Sequence, residues 1–386
     1  MAPAGVLQGQ CLPSTAFKQG CSSQAASGSS LCQRPVFLRF EIAVTQRQGT
    51  CRTGRCQQRS TVVRCQAFPS FVPAGPAAEI QEPAAVSMLQ RLQRCPTQVP
   101  SMQRTVQTAF VGPDPQPSAS GNPVVLLHGF DSSCLEFRRL HPLLSEHHPT
   151  WAVDLVGWGF TDCGFGDMRD INLGPQQKRD HLYAFWKDKI QEPMILLGTS
   201  LGGAIAIDFA LEHPDAVDKL VLVDAQAFTD GLGPMSTMPR FLAVLGVQVL
   251  RAEWLRQMAN KMAYYDKDKY ATDDARRIGR LHTYLPGWAD ANVAFMRSGG
   301  YALSQRVASL TQDTLVVWGA NDEILSPDFA KRFTAALPGA KLELLDACGH
   351  CGHLEQPQRL AEAVRQFVQN PAEVQGEPLD VPALQL

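Results

Sequence analysis

The sequence predicts a doubly wound α/β fold: a mostly parallel sheet, covered by helices on both faces, with a helical insertion. Three observations lead there. Continuous apolar runs of strand length alternate with helical patterns along the body of the chain, as in sheets buried on both faces. Each run ends in glycine, aspartate or a polar turn. One long section, about residues 226–303, breaks the alternation and is helical in pattern.

The elements follow in order. PVVLLHGF (123–130) is a buried strand that ends in a turn, and LEFRRLHPLLSEHH after it has helical periodicity. TWAVDL is a strand, and the loop VGWGFTDCGFG follows it. QQKRDHLYAFWKDKI is an amphipathic helix, PMILLG a strand, LGGAIAIDFALEH a helix and KLVLVDA a strand. Beyond the insertion come TLVVWGA, DFAKRFTAAL, KLELLDA and LAEAVRQFVQ, read as strand, helix, strand and helix. Crossovers of this kind are right-handed, and ligands bind at the carboxyl ends of such strands.

Composition narrows the class. The chain has 386 residues, 45% of them apolar, and a formal charge of −2, which argues against a nucleic-acid partner. No apolar run reaches the ~18 residues a membrane helix needs. The charge is uneven: residues 1–65 hold seven Arg and one Lys against the single acid Glu41, with six of the eleven cysteines. Basic, Ser-rich and poor in acids, this segment reads as an organelle transit peptide. VVRCQAF suits cleavage after Cys65 and a chloroplast address, with the mitochondrion as the alternative. What remains has a charge of −9 and five scattered cysteines, which suits a reducing compartment. Residues 66–100, rich in Pro and Ala with the helical patch VSMLQRLQRC, read as a linker or surface strap. The folded body is expected over 101–370, with a tail at 371–386.

The chemistry concentrates at GTSLGG, residues 198–203. A strand runs straight into a helix there, so the turn is sharp, and Gly198 and Gly202 flank Ser200 where side chains would collide. This is the G-x-S-x-G nucleophile elbow in its required strand–turn–helix setting. An ordinary serine N-cap is the bland alternative. A serine nucleophile needs a base and an orienting acid. Asp322 follows the strand TLVVWGA and His350 follows KLELLDA, so three groups stand at three strand ends in the order Ser, Asp, His. Asp224, at the end of LVDA, is the alternative acid. Asp154 and His128 are expected to shape loops near the site. Asp131, Ser132 and Ser133 sit where they would touch substrate or cap the next helix.

HGFDSS, GWGFTD, GTSLGG, WGANDEILSP and GHCGHLEQP together resemble the α/β-hydrolase superfamily over about residues 101–370. More narrowly, the chain is similar to plastid-targeted α/β-hydrolases of plants and algae whose substrates are mostly undefined. The resemblance implies Ser200 as nucleophile, Asp322 as acid and His350 as base. It also implies an oxyanion hole at the backbone N–H groups of Phe130 and Leu201, where one donor typically contributes ~3 kcal/mol. The chain departs from the pattern at Thr199, where the family often has His, and at Gly352, where it often has Pro. His353 is a second histidine in the last motif and reads as a packed loop residue. Cys348, His350, Cys351 and His353 lie within six residues, but no second ligand pair accompanies them, so no metal is expected. The glycines at 198–203 lack dinucleotide spacing, so no cofactor is expected.

The insertion reads as a helical cap with PRFLAVLGVQVLRAEWLRQM and DDARRIGRLHTYL as its helices. Residues 241–250 are apolar except at Gly246 and Gln248, and such a helix is normally buried, here against the pocket or the rest of the cap. Arg251 and Arg256 beside Trp254 raise peripheral membrane contact as the other option. The implied activity is cofactor-independent serine hydrolysis of an ester or similar acyl group on a small apolar molecule. C–C bond hydrolysis or lyase chemistry on the same triad, and a non-enzymatic ligand receptor, are the alternatives. Composition sets no oligomeric state.

Overall fold

The computed structural model describes residues 68–113, 121–162 and 171–369, so the expected cleavage point after Cys65 and the tail at 371–386 lie outside the described residues. Eight strands form one sheet: β1 (Gln93–Val99), β2 (Arg104–Val111), β3 (Val124–Leu127), β4 (Thr150–Val153), β5 (Met194–Thr199), β6 (Val217–Val223), β7 (Asp313–Gly319) and β8 (Lys341–Leu345). Their order is β1-β2-β4-β3-β5-β6-β7-β8. β2 pairs antiparallel with β1 and β4, and every other pairing is parallel. The mostly parallel α/β sheet expected from the apolar runs is therefore present.

Alternate residues of the central strands feed two separate cores, which is why the runs are apolar without alternation. Val125, Leu127, Leu196, Leu222 and Val316 pack on one face with the helices Pro175–Lys189, Leu201–Glu212 and Asp328–Ala336. Val124, Leu126, Leu197, Val221 and Val317 pack on the other with the helices Pro83–Arg91, His141–Ser145 and Pro357–Gln369. Both faces are covered, so ligands are left the strand ends.

The linker reading of residues 66–100 is corrected. Val72, Ile80, Ala85, Met88, Leu89 and Leu92 are buried in the second core, and residues 93–99 form β1. The apolar residues here lie at irregular spacings among prolines, so no period shows, yet each finds the sheet face. β1 tolerates Pro96 because it is the sheet's edge, where a missing N–H breaks no inner ladder. The folded body therefore begins well before residue 101.

Between β6 and β7 the chain forms the cap helices Arg240–Leu250, Glu253–Ala263, Lys267–Tyr270, Asp273–Arg280 and Trp288–Arg297. The long stretch read as one helix divides at Ala252, whose extended backbone (ψ 136°) stops the first and starts the second. The expectation that 241–250 is buried also fails. Only Ala243 and Val247 are buried, against Trp288 and Val293, while Phe241, Leu242, Leu245 and Val249 are exposed. Neighbouring cap helices cover one side of this helix and leave the other open.

Candidate active site

Ser200 stands between the last residue of β5 and the helix Leu201–Glu212, with φ +52° and ψ −120°. A non-glycine residue in that region costs of order 1–3 kcal/mol, which the surroundings must offset. They do so through the backbone. The Ser200 N–H donates to Val223 O at 3.0 Å, and its carbonyl accepts from Gly203 N and Gln226 N, both at 2.9 Å. The flanking glycines are needed for space. A Cβ on Gly198 would lie 2.2 Å from Gly202 O, and one on Gly202 would lie 2.2 Å from Leu127 O. The strand and helix are thus packed backbone to backbone, and the serine is thrust out at the strand end.

Asp322 and His350 are brought together. His350 Nδ1 is 2.7 Å from Asp322 Oδ2, and both side chains are buried. The other carboxylate oxygen of Asp322 accepts from Ile324 N at 2.7 Å and Leu325 N at 2.9 Å, which fixes its plane. Burial opposes a charge on His350, but the hydrogen bond and negative charge of Asp322 outweigh it and hold the imidazole above its ordinary pKa. With Nδ1 taken by the acid, Nε2 is the nitrogen left for a substrate or nucleophile.

Asp224 lies at the same place. One ligand atom each from Asp224, Asp322 and His350 fall within 4.8 Å of one another. Asp224 is fully buried, its Oδ1 accepts from Gly319 N at 2.8 Å, and burial, with the nearby charge of Asp322, pushes its carboxyl well above the usual range. Asp322, not Asp224, carries the bond to the imidazole. This trio has metal-ligand spacing, but His350 Nδ1 is already engaged by Asp322. Among the described residues, Cys348, His350, Cys351 and His353 form no converging ligand group.

The loop after β3 abuts the serine: a Cβ on Gly129 would sit 3.3 Å from Ser200 Cβ. Phe130 follows it, its ring partly exposed and edge-on to Trp158 at 5.7 Å. Leu201 is the first residue of the helix behind the serine, where backbone N–H groups lack intrahelical partners. His128 donates Nδ1–H to Gly129 O at 2.8 Å, and burial lowers its pKa to about 4, so it is a neutral brace. Asp154 accepts from Cys134 N at 2.5 Å and Phe160 N at 2.7 Å, and burial raises its carboxyl to about 7.

Two arrangements here went unread in the sequence. Asp131, with φ +48°, takes hydrogen bonds from Trp288 Nε1 at 2.6 Å, His282 Nε2 at 3.2 Å and Asn292 Nδ2 at 3.2 Å, and pairs with Arg256. All four partners are cap residues. Burial would raise this carboxyl, but His282 and Arg256 hold it below its ordinary range. Glu136 braces the same loop from behind. It accepts from Thr199 Oγ1 at 2.5 Å and from Gly129 N at 3.3 Å, and His353 Nε2 lies 3.2 Å from it. Burial lowers the His353 pKa to about 4, so that ring is neutral and faces Glu136, while His350 faces Asp322. Only the presence of acids near HGF hinted at either arrangement.

Residues 124–363 match the model of the alpha/beta hydrolase family. An Arabidopsis thaliana protein, alpha/beta hydrolase domain-containing protein VTE7, is 38% identical over 316 residues, covering 81% of this chain and 94% of that protein. The 2-hydroxy-6-oxo-2,4-heptadienoate hydrolase of Pseudomonas putida is 27% identical over 264 residues, 64% of this chain and 90% of that one. Among solved structures, a thermophilic esterase from Thermogutta terrifontis superposes with a TM-score of 0.59 at 19% identity, covering 72% of this chain and 98% of the esterase, a likeness of fold. On the family match, the plant relative and the sheet order, the chain belongs to the alpha/beta hydrolase family.

Proposed function

We propose that this hydrolase is a serine esterase acting on an acyl group of an apolar small molecule, with Ser200 as nucleophile, His350 as base and Asp322 as orienting acid. The observation that carries this reading is the buried 2.7 Å contact between His350 Nδ1 and Asp322 Oδ2, past the carboxyl ends of β8 and β7 in the sheet whose β5 ends at a serine held at positive φ. In the proposed cycle His350 Nε2 takes the Ser200 proton as Oγ bonds to the carbonyl carbon. The oxyanion is met by the N–H groups of Phe130 and Leu201. The alkoxide leaves with the proton from His350, and water, deprotonated by the same nitrogen, releases the acid and restores Ser200. No cofactor enters this cycle. A fluorophosphonate probe should label Ser200, and turnover of acyl esters should vanish in Ser200→Ala. Ester turnover by clean Ser200→Ala protein would end this reading.

A second reading rests on the Pseudomonas putida relative, whose name describes hydrolysis of a 2-hydroxy-6-oxo-dienoate. C–C cleavage uses water and the same three side chains, and turnover of a vinylogous diketone acid in preference to esters would favour it. We also propose a plastid location, supported by the basic, acid-poor segment 1–65 and by the plant relative. Residues 1–70 fused to a fluorescent protein should enter the chloroplast, and a mitochondrial or cytosolic signal would contradict this.

A further inference from the structure

The cap carries an apolar surface that the protein does not cover. In the helix Arg240–Leu250, Phe241 is 72% exposed and Leu245 64%, with Leu242 and Val249 beside them on the same side. The next helix, Glu253–Ala263, continues it with Trp254 at 65% exposure and with Met258 and Met262, one turn apart on one stripe. The opposite sides of both helices are used. Ala243 and Val247 pack on Trp288 and Val293, Arg256 reaches Asp131, and Gln257 Nε2 donates to Ala271 O at 2.7 Å. Exposed clusters of this size and composition mark interaction sites.

We infer that this two-helix face is a docking surface for an anionic lipid bilayer, entered by Phe241, Leu245 and Trp254. Charge selects the occupant. Residues 240–263 hold four cations against the single acid Glu253, in a chain whose residues 66–386 carry a net −9. Arg240 pairs with Asp290 and Arg256 with Asp131, so the positive charge at this face is that of Arg251 and Lys261. Glu253 is itself tied to Arg276 at 2.7 Å and Arg280 at 2.6 Å. A second copy would bring the same positive face and repel. The basic segment 1–65 would also repel. Anionic headgroups match the basic rim, and acyl chains match the Phe, Leu, Trp and Met stripe, the arrangement of helices that lie in an interface. Among the described residues no helix is long and apolar enough to cross a membrane, so contact is peripheral. The second helix is also fastened to the loop after β3 through Arg256 and to the histidine loop through Ala263, so docking brings both loops to the bilayer.

The test uses the full chain and vesicles of phosphatidylcholine with or without phosphatidylglycerol, some carrying brominated acyl chains. Bromine should quench a component of tryptophan emission that Trp254→Phe removes, which isolates this face from any binding by residues 1–65. The pair Phe241→Ser and Leu245→Ser should weaken binding to phosphatidylglycerol vesicles by roughly tenfold or more. Ser200→Ala should bind like the parent chain, because docking does not depend on the proposed nucleophile. Equal quenching in parent and Trp254→Phe overturns the inference. So does a dimer in solution that becomes monomeric in Phe241→Ser with Leu245→Ser, which would name a second copy as the occupant. Binding that appears only after removal of residues 371–386 would name that acidic segment instead and also overturn it.

Discussion

The backbone N–H of His350 donates to Ala263 O at 2.8 Å, which fastens the last residue of a cap helix to the histidine of the site. Arg256 of the same helix pairs with Asp131 beside the loop of Phe130. One cap helix thus spans the two loops that the proposed reaction needs, so cap and chemistry are mechanically joined.

Asp131 is the test of that joint. Asp131→Ala leaves Arg256 facing an empty, buried position and removes three further hydrogen bonds. Loss of one member of a buried charged pair costs about 3–5 kcal/mol. Denaturant unfolding should show a loss of that order. Asp131→Asn, which keeps some of the bonds, should fall between the two. Unchanged stability in Asp131→Ala would mean the cap is held elsewhere.

The acids are separated by substitution. Asp322→Asn should lower kcat by about 10⁴-fold through loss of tautomer control and imidazolium stabilisation. His350→Ala should cost several orders of magnitude, and His353→Ala much less, because His353 faces Glu136. Asp224→Asn should spare most activity and raise stability at neutral pH. The sign follows from the raised carboxyl: an acid kept protonated in the fold loses stability as pH rises above its unfolded value, and Asn mimics the protonated form. Thermal melts should show the gain at pH 7 and none below the ordinary aspartate value of 3.8.

The pH profile should report His350. It must be neutral to accept the Ser200 proton, and Asp322 holds its pKa above the ordinary 6.5 against the opposing effect of burial. The acid limb of kcat/KM is therefore expected above pH 6.5, and in Asp322→Asn it should move down, since burial is then opposed only by the weaker effects of Asp224 and Glu136. The same shift stabilises the fold fully below pH 6.5, and this contribution is lost as pH rises through the folded pKa.

What could be read from the sequence follows from how each feature is built. β3 to β8, apart from the half-exposed β8, are buried on both faces, so their apolar runs stand out unaided. β1 is an edge strand with alternating burial and a proline, set after a Pro-rich stretch, and composition hid it. Ser200 follows β5 directly, and Asp322 and His350 lie in the short loops after β7 and β8, so position at the strand ends is what made them candidates. The Asp131 hub was invisible because its partners lie 125 to 161 residues away and no local pattern links them. The exposure of Phe241 and Leu245 could not be foreseen either. Helix pattern shows which residues are apolar, not which side a neighbour covers.

Substrate length is the remaining test. Leu245, in the helix expected to be buried against the pocket or the rest of the cap, is exposed and points away from the buried side of that helix, so it is no pocket wall. Phe130 is the better candidate wall. Its backbone is beside Ser200, and its ring, partly exposed, rests against Phe295 at 6.0 Å and Trp158 at 5.7 Å. Each methylene buried against such a wall adds ~0.8 kcal/mol, about fourfold in kcat/KM. Catalytic efficiency should therefore climb from acetyl to medium-chain esters in a vesicle-free assay. Phe130→Ala keeps the backbone N–H and should flatten the climb while leaving acetyl turnover within a few fold. Leu245→Ser should leave it intact, because that side chain serves the outer face. A flat profile in the parent chain would point to a small polar substrate, and loss of the climb in Leu245→Ser would mean the exposed face folds over the site during turnover.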